Sequence, residues 1–160
     1  MVKLLLDRED IDVNYHHRFG DTVGTALCEA VSCNYVEAAK LLLQRDDIDV
    51  NDTDRGTTAL LFACRSHCLE IVDLLLGKED ISVNARDING YTPLSSACHL
   101  RSESDVAIVR SLLSHHNIDP NGVDRFGFSA FANFRDNRHL IDSGVADEIE
   151  ILFRTAGVMD

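Results

Sequence analysis

Residues Leu74–Cys98 read LLLGKEDISVNARDINGYTPLSSAC. The stretch holds an apolar helix end, a polar turn, a short extended piece, a second turn and the start of a new helix. Most of it recurs. The segments LLLDREDIDVN, LLLQRDDIDVN, LLLGKEDISVN and SLLSHHNIDPN close at Asn14, Asn51, Asn84 and Asn121, separated by 37, 33 and 37 residues. A second anchor keeps the same beat: Thr25-Ala26-Leu27, Thr58-Ala59-Leu60, Thr92-Pro93-Leu94 and Ser129-Ala130-Phe131. Two anchors in step four times make the chain an array of similar units, each too small to bury its own apolar face.

Each unit has a physical reading. Thr25, Thr58, Thr92 and Ser129 are good N-cap residues, and Pro93 stands where a helix tolerates proline. The short helix that follows is lined by small residues (Ala30, Ala63, Ala97, Cys98), which allow close approach of neighbours. A second helix comes next, and in the second unit Asn34 and Glu37 have the spacing of a capping box. This second helix is apolar around much of its circumference (Ile71, Val72, Leu74, Leu75, Leu76), so it needs cover on several sides. Arg8, Arg45, Lys78 and His115 occupy matching slots at the helix ends, where a cation complements the dipole. Between units, DINGY and DRFGF have the form of tight turns, and Ile48, Val50, Ile81 and Val83 suit an extended arm leading into them. Each linker is thus expected to be a hairpin-like finger.

Bulk composition narrows the class. A chain of 160 residues with 45% hydrophobic content can bury a core, and two prolines and nine glycines are too few for disorder. A net charge of −12 disfavours nucleic acid and anionic membrane as partners. No apolar run reaches the roughly 18 residues of a spanning helix, and MVKLLL is too short for a signal-peptide core. Five cysteines (28, 33, 64, 68, 98) without a compact framework fit reduced thiols, so an intracellular location, cytoplasmic or nuclear, is expected. Cys64, His67 and Cys68 sit within one helical turn, but no second pair follows to complete a zinc site, and no metal is expected.

These residues resemble ankyrin repeats, whose pattern is D-x-x-G, T-P-L-H-x-A-A, a short loop, E-I-V-x-L-L-L and a D-V-N close. DINGYTPLSSAC (Asp87–Cys98) and LEIVDLLL (Leu69–Leu76) carry the resemblance most clearly. It implies an all-α ankyrin-repeat solenoid of stacked helix-turn-helix units joined by hairpin-like loops. The expected domain is single, with a half-repeat over 1–14 and repeats at about 15–51, 52–84, 85–121 and 122–160. The departures are specific. The histidine of T-P-L-H is replaced by Cys28, Leu61, Ser95 and Ala132, which removes a side chain that in the family hydrogen-bonds along the stack. Three extra residues stand between Gly20 and Thr25, and about three around Arg101–Ser104. In the last unit Phe134 takes a small-residue position, and a longer loop, NRHLIDSGVAD, is expected between its helices. Asp147, Glu148, Glu150 and Arg154 give that unit the polar outer side of a cap. At the other end Val2, Leu5 and Leu6 lack a covering helix, as expected of a piece cut from a longer array or of leucines shielded by another element.

The resemblance implies a binding face built from finger tips and the exposed side of the first helices. The matching tip positions are Arg18 and Phe19; Asp54, Arg55 and Thr57; Ile88, Asn89 and Tyr91; Arg125, Phe126 and Phe128. The helix positions are Ser32 and Cys33; Arg65 and Ser66; His99 and Leu100; Asp136 and Asn137. Phe, Tyr and Arg carry much of the contact energy in interfaces. Phe19 and Phe126 have a plainer alternative, folding back onto neighbouring fingers. The repeat asparagines also match a pattern at which ankyrin asparagines are hydroxylated. There is no P-loop, G-x-S-x-G, H-E-x-x-H or dinucleotide fingerprint, so neither catalysis nor a cofactor is expected. The expected function is a monomeric module binding a protein or peptide partner. The alternatives are a structural spacer in a larger protein and a groove that holds a small molecule.

Overall fold

The computed structural model describes residues 11–19, 22–100 and 102–158. The first ten residues of the expected half-repeat, with Val2, Leu5, Leu6 and Arg8, lie outside the described residues, as does Arg101. Eight α-helices in four pairs make up the described part: α1 (Ala26–Ser32) and α2 (Val36–Leu43), α3 (Ala59–Arg65) and α4 (Leu69–Leu76), α5 (Pro93–Ala97) and α6 (Glu103–Leu113), α7 (Ala130–Asn137) and α8 (Ser143–Thr155). The odd-numbered helices stack α1–α3–α5–α7, and the even-numbered ones α2–α4–α6–α8. The result is the two-row solenoid that the repeat predicts.

The predicted caps form. Thr25, Thr58 and Ser129 accept from the amides of Cys28, Leu61 and Ala132. Thr92 and Ser95 cap one another reciprocally, at 2.8 and 3.1 Å, with Pro93 opening the helix. The capping box expected at Asn34–Glu37 does not form: α2 is preceded by Tyr35, which makes no side-chain cap. Asn34 instead turns left-handed (φ 57°) and its amide closes α1 onto the Val31 carbonyl. His67 (φ 56°) and Leu100 (φ 50°) make the same turn between the helices of the next two pairs.

The core runs unbroken along the stack. Val31, Leu60, Ile71, Val72, Leu75, Ile108, Leu112 and Ile149 are fully buried within it. Burial of a Leu, Ile or Val side chain stabilises by about 1.5–3 kcal/mol, so the shared rows hold each pair in place. Phe134, the large residue in a small-residue slot, is fully buried against Phe131 and Phe153, with ring centroids 6.0 and 5.6 Å away. The loop before α8 is shorter than expected. A 3-10 turn occupies Arg138–Leu140, and Asp142 starts α8 by accepting from the amides of Gly144 and Val145. On its outer side Arg138 pairs with Asp147 and Glu150, and Arg154 with Glu150.

Between pairs the chain forms fingers. The first is a hairpin of β1 (His17–Phe19) with β2 (Thr22–Gly24), pairing His17 with Gly24 and Phe19 with Thr22. The second is shorter, β3 (Thr53–Asp54) with β4 (Thr57–Thr58) across Arg55 and Gly56, both left-handed. The added residues before Thr25 therefore lengthen a finger. The last two fingers close on an aspartate: Asp87 accepts from Asn89 and Tyr91 (2.8 and 2.9 Å), and Asp124 from Phe126 and Phe128 (2.8 and 3.0 Å).

The repeat asparagines form a ladder at the finger bases. Asn14 donates to the Asp47 carbonyl and accepts from the Asp49 amide, at 2.6 and 2.7 Å. Asn51 does the same with Asp80 and Ser82, and Asn84 with Asn117 and Asp119. Asn121 reaches the Gly157 carbonyl at 3.4 Å. Each rung therefore ties one unit to the next. Of the slots expected to neutralise a helix end, Lys78 donates to the Leu43 carbonyl of the preceding pair, whereas Arg45 holds Asp47 at 2.8 and 2.7 Å and His115 stacks on His116. Burial and the neighbouring His116 together push the His115 imidazole below its ordinary value.

Candidate functional site

The fingers are tied to one another as well as to the helices. The Arg125 amide donates to the Asn89 carbonyl at 3.1 Å, and the Arg86 guanidinium donates to the Val123 carbonyl. Gly90 is left-handed (φ 82°), and a Cβ there would stand 2.9 Å from the Arg125 nitrogen, so glycine is what lets these two fingers touch. At the other side of the same finger, the Ile88 side chain lies over Gly56.

On this frame the tip residues stand out into solvent. Ile88 is 78% exposed, Phe126 59% and Phe128 51%. Arg125 places its guanidinium over the Phe126 ring, 4.7 Å from the centroid, leaving that ring exposed rather than folded onto a neighbouring finger. Arg55 is exposed, while Asn89 and Tyr91 are half-buried. Arg18 and Phe19 belong to β1, and their side chains lie outside the described residues.

The inner helices bring a second group together. Arg65, at the end of α3, pairs through Nη2 with Asp87 at 2.6 Å. Burial pushes the Asp87 carboxyl up, but the Arg65 guanidinium and the amides of Tyr91 and Asn89 together hold it below the usual carboxylate range. His99 lies edge-on to Tyr91, with centroids 6.1 Å apart, and its Nδ1 meets the Ser96 carbonyl at 3.1 Å. With Ser96 and His67, these residues line an open recess of about 370 Å³. Arg65, Tyr91 and His99 were predicted on the binding face, and they share this recess.

Two expected contacts are not at the surface. Leu100 is only 3% exposed: its left-handed backbone turns the side chain into the core. Thr57, on β4, follows directly on the turn of its finger but is buried. Two further residues escaped the sequence reading. His67 pairs through Nδ1 with Asp105 at 2.6 Å, and Asp105 is 1% exposed while it accepts from the Ser102 amide. The Ser102–Asp105 spacing ahead of Val106, Ile108 and Val109 is a legible cap signal; the pairing with His67, 38 residues away, is not.

The positions that replace the family histidine have different fates. The Cys28 thiol still points along the stack, toward the carbonyls of Asp52 and Thr57 at 3.6 and 3.9 Å. Ser95 bonds only within its own unit, to Thr92. Leu61 and Ala132 have no polar side-chain atom to offer. Burial pushes the thiols of Cys28, Cys64 and Cys98 up, with the carboxylates of Asp54 and Asp52 adding to it at Cys28 and that of Asp105 at the other two. No described helix is long and apolar enough to cross a membrane. Among the described residues no group of three or more His, Cys, Asp or Glu could hold a metal ion.

Two family models match: "Ankyrin repeats (3 copies)" over residues 47–124 and "Ankyrin repeat" over 24–55. No curated protein matches the chain. Among solved structures, an ankyrin repeat domain from Acinetobacter baumannii AYE is similar at 25% identity and a TM-score of 0.78, over 98% of this chain and 74% of that one. A second crystallised ankyrin repeat protein is 23% identical with a TM-score of 0.77, over 93% of this chain and 72% of that one, and it speaks to the fold alone. The two family matches together run from 24 to 124, more than half of the chain, and take in the second and third fingers whole. This chain belongs to the ankyrin-repeat family.

Proposed function

We propose that the chain binds a partner protein or peptide through its finger tips and inner helices, and performs no chemistry on it. Ankyrin repeats are generally protein-interaction modules, and the fold is typically non-catalytic. One observation carries the finer reading: Ile88, Phe126 and Phe128 stand exposed on fingers that are hydrogen-bonded to each other. Apolar side chains held out on a rigid frame bind with little loss of conformational entropy. The repeats, bounded near residues 51, 84 and 121, would act as one surface in a monomer, with Arg18, Phe19, Arg55 and Asn89 at its edge. An intracellular setting fits the five free thiols.

The test is affinity capture with the wild type and an Ile88→Ala/Phe126→Ala/Phe128→Ala variant of matched melting temperature. Partners recovered specifically by the wild type should be lost, about tenfold or more, with the variant. If specific partners are recovered equally by both, the face is elsewhere. If neither captures any, the spacer reading takes its place.

A further inference from the structure

The recess beside the third finger, at the ends of α3 and α5, differs from the tips in chemistry. The tips are apolar and aromatic; the recess is lined by Arg65, His67, Tyr91, Ser96 and His99. This cluster of donors is set in a chain of net charge −12. Its two nearby carboxylates are already committed. Asp87 (8% exposed) is held by Arg65 and two finger amides, and Asp105 (1% exposed) by His67 and the Ser102 amide. They face inward, as supports. Arg65 spends Nη2 on Asp87, and its side chain stays 38% exposed with further N–H donors. Because carboxylates and carbonyls only accept, Asp105 and the Ser96 carbonyl each accept a hydrogen bond from Nδ1–H of their histidine, leaving Nε2 of His67 and of His99 unspent.

Resting on the interaction reading above, we propose that this recess receives an acidic side chain, Glu or Asp, of the bound peptide, whose flanking apolar residues contact Ile88 and Phe126. Arg65 supplies the fixed positive charge and a planar fork suited to a carboxylate. Tyr91 adds a hydroxyl. His67 and His99 wall the recess, their Nδ1 atoms turned to Asp105 and the Ser96 carbonyl. A monoanion suits the recess better than a phosphate dianion. Asp87 and Asp105 lie directly behind the donors and offset their charge, so a second negative charge would find no counterpart.

The probes are acetyl-Phe-Glu-Leu-Glu-Phe-amide, its Gln counterpart and its phosphoserine counterpart, titrated into the full chain and followed by amide chemical shifts. The Glu peptide should bind at least tenfold more tightly than the Gln peptide. It should shift the amides of residues 65–67, 91 and 96–99. Arg65→Gln should erase the Glu preference. Tyr91→Phe, which keeps the ring and the amide bond to Asp87, should reduce it, so a folding defect in the first variant does not decide the outcome. Equal binding of the Glu and Gln peptides with shifts at the finger tips overturns the acidic assignment while the interaction face stands. Tighter binding of the phosphoserine peptide overturns the carboxylate choice. Absence of saturable binding by any of the three overturns the inference, and the capture experiment then judges the broader reading alone.

Discussion

Asp87 holds together a finger, an inner helix and the recess. Its Oδ1 accepts two finger amides and its Oδ2 takes Arg65. Its pKa is depressed in the folded chain, so its contribution to stability is present above the unfolded value of about 3.9 and is lost as pH falls through the folded value. Asp87→Asn should therefore cost about 1–3 kcal/mol at neutral pH. The gap from wild type should narrow as pH falls below about 4, read from urea midpoints at each pH. A gap that stays constant from pH 7 to pH 3 would show that the charge is immaterial. The role of Asp87 in the turn was legible, because aspartate and glycine at fixed offsets act locally. Its pairing with Arg65, 22 residues earlier, was not.

At the scale of elements, the helix starts were the most legible feature, since a cap needs only the hydroxyl and the amide three residues on. Two of the failures share one cause. Asn34, His67 and Leu100 occupy the turn between paired helices in a left-handed conformation, and nothing in the spacing of Asn34 and Glu37 distinguishes that turn from a capping box. The same turn buries Leu100, which helical register alone would leave on the exposed side. The last pair departs from its siblings in how it fills space. Phe134, Phe131 and Phe153 make an aromatic cluster, with Phe134 standing where the other pairs have Ala30, Ala63 and Ala97. Phe134→Ala should destabilise by about 3–5 kcal/mol through lost burial and the cavity left behind, measured by chemical denaturation. The same pair shows why its loop was overestimated: Asp142 nucleates α8 inside a polar, glycine-containing stretch that reads as connector.

For the whole molecule, the continuous core and the asparagine ladder make the units interdependent, and the thiols report on this. Cys64 and Cys98 lie in adjacent units, 1% and 0% exposed, with pKa values pushed above the ordinary thiol. Cys33 is exposed. Alkylation followed by mass spectrometry should modify Cys33 in the native chain. Cys64 and Cys98 should react only with unfolding, and at the same urea concentration. Separate onsets would mean that the units unfold one by one. The array itself was readable from its repeated anchors, and so was the shared face of Arg65, Tyr91 and His99; the part of His67 in their recess was not, since the recess joins residues from two units and a finger.

The asparagine ladder also gives the molecule a mechanical direction. Its rungs run from one unit to the next, and so carry load in series when the chain is pulled along its stacking axis. The rungs at Asn14, Asn51 and Asn84 each use both amide atoms, at 2.6–2.8 Å. The rung at Asn121 closes on Gly157 at 3.4 Å. Among the described rungs this is the longest, so a pull along the stack is expected to open it before the three that precede it.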